Sequence, residues 1–121
     1  MTDPNFLLHY VTNPAESAPF YSRLLGLAPI EASPTFVMFD LPSGIKLGLW
    51  QRSTVEPGVA AAPGSHELAF AVGAKAEVDR LHAQWHAAGV PIVQAPTDMD
   101  FGYTFVGHDP DGHRLRVFAP S

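Results

Sequence analysis

The chain has 121 residues, the length of one ordinary domain, and its 46% hydrophobic and 16% charged residues describe a sequence that folds around a core instead of staying disordered. Twelve acidic against seven basic side chains give a net charge of -5, which offers no electrostatic footprint for nucleic acid or an anionic membrane surface. The absence of cysteine excludes disulfides, thiolate metal sites and cysteine nucleophiles; with no basic leader and no apolar run near the ~20 residues that span a bilayer, the expectation is a cytoplasmic protein.

Phe6–Val11 is a short apolar run rich in strand formers, and Thr12-Asn13-Pro14 behind it supplies a helix N-cap followed by a proline suited to the first turn. Over residues 15–25 the apolar positions Ala18, Tyr21, Leu24 and Leu25 fall at helical spacing, and Gly26 stands where a left-handed cap is wanted. Three strand segments are predicted next, at 30–33, 36–41 and 45–51, the last two joined through Pro42-Ser43-Gly44. Residues 52–65, rich in Pro, Gly, Ala and Ser, read as a linker. The pattern then restarts with a strand at 67–72 and a helix at 76–88 that places Val78, Leu81, Trp85 and Ala88 on one face before Gly89. Strands at 91–95, 101–107 and 114–118 complete the chain, the last two joined by Asp109-Pro110-Asp111-Gly112, in which proline presets φ and glycine accepts a positive one.

Gly26-Leu27-Ala28-Pro29-Ile30 is echoed by Gly89-Val90-Pro91-Ile92, and Leu41-Pro42-Ser43-Gly44-Ile45-Lys46-Leu47 by Asp109-Pro110-Asp111-Gly112-His113-Arg114-Leu115. Two copies of a β-α-β-β-β unit account for both echoes. The predicted fold class is therefore α+β: a single domain, residues 1–121, built from modules 5–51 and 66–119 joined by the linker 52–65.

Two segments carry a family resemblance. Ala18-Pro19-Phe20-Tyr21-Ser22-Arg23-Leu24-Leu25-Gly26-Leu27 resembles the Phe-Tyr…Leu-Gly helix end of the vicinal oxygen chelate superfamily, the glyoxalase, bleomycin-resistance and extradiol-dioxygenase group. Phe105-Val106-Gly107-His108-Asp109-Pro110-Asp111-Gly112-His113 resembles its turn before the last strand. The resemblance implies tandem modules forming a curled mixed sheet, a central pocket with helices outside, and a homodimer. It also implies that a divalent metal, where one is used, takes a ligand from the first and last strand of each module. Those positions fall on Phe6, Gly48, Glu67 and Arg116, of which only Glu67 is a metal donor, since a guanidinium has no free lone pair. Neither a metal nor another cofactor is expected, and no catalytic residue is assigned.

With these four positions turned inward, strand alternation turns every second neighbour inward as well. The inward set is aromatic with a few charges, the make-up of a small-molecule site. The candidate ligand-binding residues are Trp50, Arg116, Glu67, Phe36, Met38, Phe6, Tyr10, Phe118 and Tyr103, the last with Phe101 in a glycine-containing segment at the pocket mouth. Trp50 suits stacking on a planar ligand, or else an interface or core position. The Arg116 fork is suited to a ligand carboxylate, or else pairs with Glu67. His9 reads as a packed histidine and the His82/His86 pair as a solvated helix face. The expected function is metal-independent binding and sequestration of a small planar aromatic, antibiotic-like molecule, as in the bleomycin, mitomycin and phenazine resistance branch. The expected partners are that ligand and a second copy of the chain, with no nucleic acid and no membrane. The alternative is a metal-dependent glyoxalase-like lyase, isomerase or dioxygenase using His66, His108 or Glu67 as displaced ligands; a metal-free enzyme with Glu67 as general base stands beside it.

Overall fold

The structure, a computed structural model, describes residues 4–121. It divides into two compact units, the first reaching Ala61 and the second running from Ala62 to Ser121. The first holds β1 (Phe6–Val11), α1 (Pro14–Leu25), β2 (Glu31–Ala32), β3 (Phe36–Asp40) and β4 (Lys46–Gln51). The second holds β5 (Glu67–Ala71), α2 (Lys75–Ala87), β6 (Ile92–Met99), β7 (Gly102–His108) and β8 (Arg114–Pro120). Each unit has its own mixed four-stranded sheet, ordered β1-β4-β3-β2 in one and β5-β8-β7-β6 in the other. In both, the first strand lies parallel to the last, Phe6 opposite Lys46 and Glu67 opposite Arg114, while the remaining pairs are antiparallel.

Local chemistry explains the helix ends. The Asn13 side chain accepts from the amide of Ala15 at 3.1 Å, Pro14 opens the helix, and Gly26 closes α1 at φ 68, a left-handed conformation that glycine takes without a Cβ penalty. The Asp109 carboxylate ties the turn before β8, accepting from the amides of Asp111 at 2.9 Å and His113 at 2.8 Å. Within the span expected to be a linker, Arg52–Thr54 forms one 3-10 turn.

Burial alternates along the strands. In the first unit Val11, Val37, Phe39, Leu47 and Leu49 are buried with Tyr21 of α1, which packs on β3 and β4. In the second, Phe105, Leu115, Val117 and Ala119 are buried with Val78 and Trp85 of α2, and Trp85 meets Phe105 edge to face at 5.0 Å. Each large apolar side chain so removed from water contributes roughly 1.5–3 kcal/mol. The opposite face of each sheet is left free of its helix, and all the candidate residues but Tyr103 lie there.

The strands differ from expectation at one end of each sheet. β2 shortens to two residues, and β6 runs on through Pro96 to Met99 instead of ending at 95. Register shifts between Ile92 and Gln94 and between Gln94 and Thr97 let the edge strand absorb the proline. Among the described residues no helix is long and apolar enough to cross a membrane.

Candidate functional site

The helix-free face of the first sheet is apolar and aromatic. Phe6 and Leu8 of β1 are exposed, while Tyr10, Phe36, Met38 and Trp50 are half-buried. Tyr10 and Trp50, opposite each other in the parallel pair, meet edge to face with centroids 6.2 Å apart and planes at 78°. Between them and the strand starts lies Gly48, whose missing Cβ would sit 2.7 Å from Leu8 Cδ2 and 2.9 Å from Phe36 Cζ. A larger residue there would displace both side chains. At the polar margin Lys46 lies 6.0 Å from the Phe6 ring centroid and 3.7 Å from the Asp40 carboxylate.

The corresponding face of the second sheet is built around Arg116. Its Nε donates to Glu67 Oε1 at 2.6 Å, and its Nη1 donates to Thr104 Oγ1 at 3.2 Å and Gln94 Oε1 at 3.4 Å. The Arg116 side chain is 16% exposed and that of Glu67 33%, so the pair is partly shielded and its attraction exceeds that of an open surface bridge. Phe101 covers the guanidinium with its ring centroid 5.6 Å away, and meets Phe118 edge to face at 5.9 Å.

Eight of the nine candidate side chains lie on these two faces: Phe6, Tyr10, Phe36, Met38 and Trp50 in the first unit, Glu67, Arg116 and Phe118 in the second. Tyr103 is turned the other way. Its hydroxyl donates to Asp79 Oδ1 on α2 at 2.7 Å, and Lys75, bridged to Asp98 at 2.9 Å, lies 5.4 Å from its ring centroid. The hydrogen bond to Asp79, then burial and the nearby Asp79 and Asp98 charges, raise the Tyr103 phenol above its ordinary range. The parity of β7 requires this orientation, since the adjacent Thr104 faces Arg116.

Gln94 and Thr104, which accept from Arg116, are not evident as its partners in the sequence. Thr104 carries an alternation signal, being inward by parity, but Gln94 lies between two register shifts that erase it. A second feature falls in the expected linker: a cavity of ≈ 500 Å³ lined by Thr12, Arg52, Ser53, Val55, Glu56, Gly58 and Val59. Arg52 spans that segment by donating to the Ala61 carbonyl at 2.6 Å.

The four superfamily metal positions do not suit a divalent cation. Phe6 and Gly48 carry no donor, Arg116 is itself a cation, and its guanidinium occupies the Glu67 carboxylate at 2.6 Å. Of the displaced ligands considered, His108 has its Nδ1 2.7 Å from the Asp109 carbonyl, and His66 lies edge to face with His113 at 6.5 Å.

The model of the Glyoxalase/Bleomycin resistance protein/Dioxygenase superfamily matches residues 4–117. Phenazine antibiotic resistance protein EhpR of Enterobacter agglomerans is 31% identical over 117 residues, spanning 94% of this chain and 89% of that protein. An Agrobacterium tumefaciens protein solved by NMR is 53% identical with a TM-score of 0.92, covering 100% of this chain and 99% of that one. A glyoxalase-related enzyme from Fulvimarina pelagi is 26% identical with a TM-score of 0.86, covering 98% and 88%.

Proposed function

The chain belongs to the Glyoxalase/Bleomycin resistance protein/Dioxygenase superfamily, and on that premise we propose that it binds and sequesters a small planar aromatic, antibiotic-like molecule without a metal, as a cytoplasmic homodimer. The observation that carries this reading is the aromatic face around Gly48, where Trp50, Tyr10, Phe36 and Met38 are only half-buried although nothing in the first unit's own helix covers them. Half-exposed aromatic rings gain by covering a flat apolar ligand, through area removed from water and through ring contacts worth about 0.5–1.5 kcal/mol each beyond that area. The second unit offers a face of its own, where Arg116 and Glu67 stand beside Phe101 and Phe118 as a polar anchor next to aromatic rings. No bond is made or broken, and protection follows from lowering the free ligand concentration. Similarity to a phenazine antibiotic resistance protein supports the ligand class.

Tryptophan fluorescence tests it, with phenazine as the planar probe. The half-buried Trp50 is the reporter and the buried Trp85 the internal reference. Saturable quenching is expected, unchanged by prior treatment with a chelator. Trp50→Ala is expected to weaken binding at least about tenfold, the equivalent of about 1.4 kcal/mol, when binding is followed by equilibrium dialysis. No saturable binding, or binding that appears only when divalent metal is added, overturns the proposal.

A further inference from the structure

The hydrogen bonds already made by Arg116 define what its remaining donors can hold. A guanidinium carries five N–H groups on three nitrogens. Nε is spent on Glu67, and the two protons of Nη1 are spent on Thr104 and Gln94. Thr104 is committed to the acceptor role because its own hydroxyl donates to the Val117 carbonyl at 2.8 Å. The Phe101 ring centroid lies 5.6 Å from the guanidinium carbon. Among the described residues Nη2 alone donates to nothing.

Bidentate capture of a carboxylate needs two parallel N–H groups from neighbouring nitrogens. Each neighbouring pair that includes Nη2 contains a nitrogen already engaged, so the fork that the sequence suggested for a ligand carboxylate is taken. The charge is compensated too. An incoming carboxylate would meet the Glu67 carboxylate close to the one cation they would share, and like charges so placed disfavour one another. An amide or ketone carbonyl accepts from Nη2 without that repulsion and loses less hydration on entering.

Resting on the sequestration reading above, we infer that the ligand class selected at the Arg116 face of the second unit, beside Phe101 and Phe118, is a planar aromatic bearing a neutral hydrogen-bond acceptor, and that Glu67 acts as the selectivity residue that rejects the free acid. Calorimetric titration of the full chain at neutral pH with phenazine, its 1-carboxylate and its 1-carboxamide tests this. The amide is expected to bind several-fold more tightly than the carboxylate, and Glu67→Gln is expected to narrow or reverse that order by strengthening carboxylate binding. A carboxylate that binds wild-type protein as tightly as the amide or more so overturns the inference, and this comparison needs no variant. An order unchanged in a folded Glu67→Gln protein also overturns it. Failure of all three probes to bind the wild type overturns the sequestration reading itself, an outcome distinct from binding with the wrong order.

Discussion

The helix-free faces of the two sheets occupy equivalent places in a repeated unit, yet they are filled by opposite means. Gly48 on β4 lies opposite Leu8 of β1 and Met38 of β3; Arg116 on β8 lies opposite Ala69 of β5 and Val106 of β7. In the first unit the last strand is small at this point and its neighbours are large, so Leu8 and Phe36 occupy the space above Gly48. In the second, the first strand carries Ala69 and Ala71, and the guanidinium fills the space instead. The large side chain at this level stands on the first strand in one unit and on the last strand in the other, which converts an apolar wall into a polar one. One backbone plan thus carries an aromatic face in one half and a hydrogen-bonded polar face in the other.

The halves also differ in the hairpin that supports the face. β2 has two residues and β6 has eight, and the longer hairpin is what brings Gln94 and Phe101 to Arg116. Gly102 holds its turn at φ 149, and a Cβ there would run into the carbonyl of Ala119. Gly102→Ala should therefore break the comparison most severely, lowering stability by about 3 kcal/mol through backbone displacement, measured as the denaturant midpoint. Arg116→Met should cost less, about 1–2 kcal/mol, because Glu67 loses its charged partner but is one-third exposed and partly rehydrated. Adding Glu67→Gln should recover part of that loss, and a double-mutant cycle measures the coupling. A coupling near zero would make the two faces energetically alike.

The smallest effect sharpens the contrast at Tyr103. Its phenol is raised in the folded chain, so the unfolded chain loses this proton first as pH rises. The hydrogen bond to Asp79 therefore contributes stability below the ordinary tyrosine range, and that contribution is lost as pH climbs through the folded value. Asp79→Asn should lower the onset of tyrosinate absorbance and flatten the alkaline decline in stability.

Most of the architecture is legible in the sequence because period-two burial is simple physics: Val37, Phe39, Leu47 and Leu49 alternate with Phe36, Met38, Gly48 and Trp50, and one face of each strand must leave water. The helix ends are legible for the same local reason, in Asn13-Pro14 and Gly26. The environment of Arg116 is less so. Pro96 argues for the end of a strand, whereas the edge of the sheet tolerates it and shifts register, and those shifts carry Gln94 into place. Tyr103 shows that membership of a segment is weaker evidence than parity within it. The cavity beside Arg52 lies where the composition shows no period at all.

The parallel pairing of first and last strands also governs how the chain acquires its structure. In each unit the hairpins and the helix are built from near neighbours, whereas β1 with β4 and β5 with β8 join partners separated by most of a unit's length. Closing such a loop costs entropy before its contacts repay it. The opening strand of each unit is thus expected to dock last, and substitutions in β1 and β5 are expected to act chiefly on the unfolding rate, those in the meanders on the folding rate.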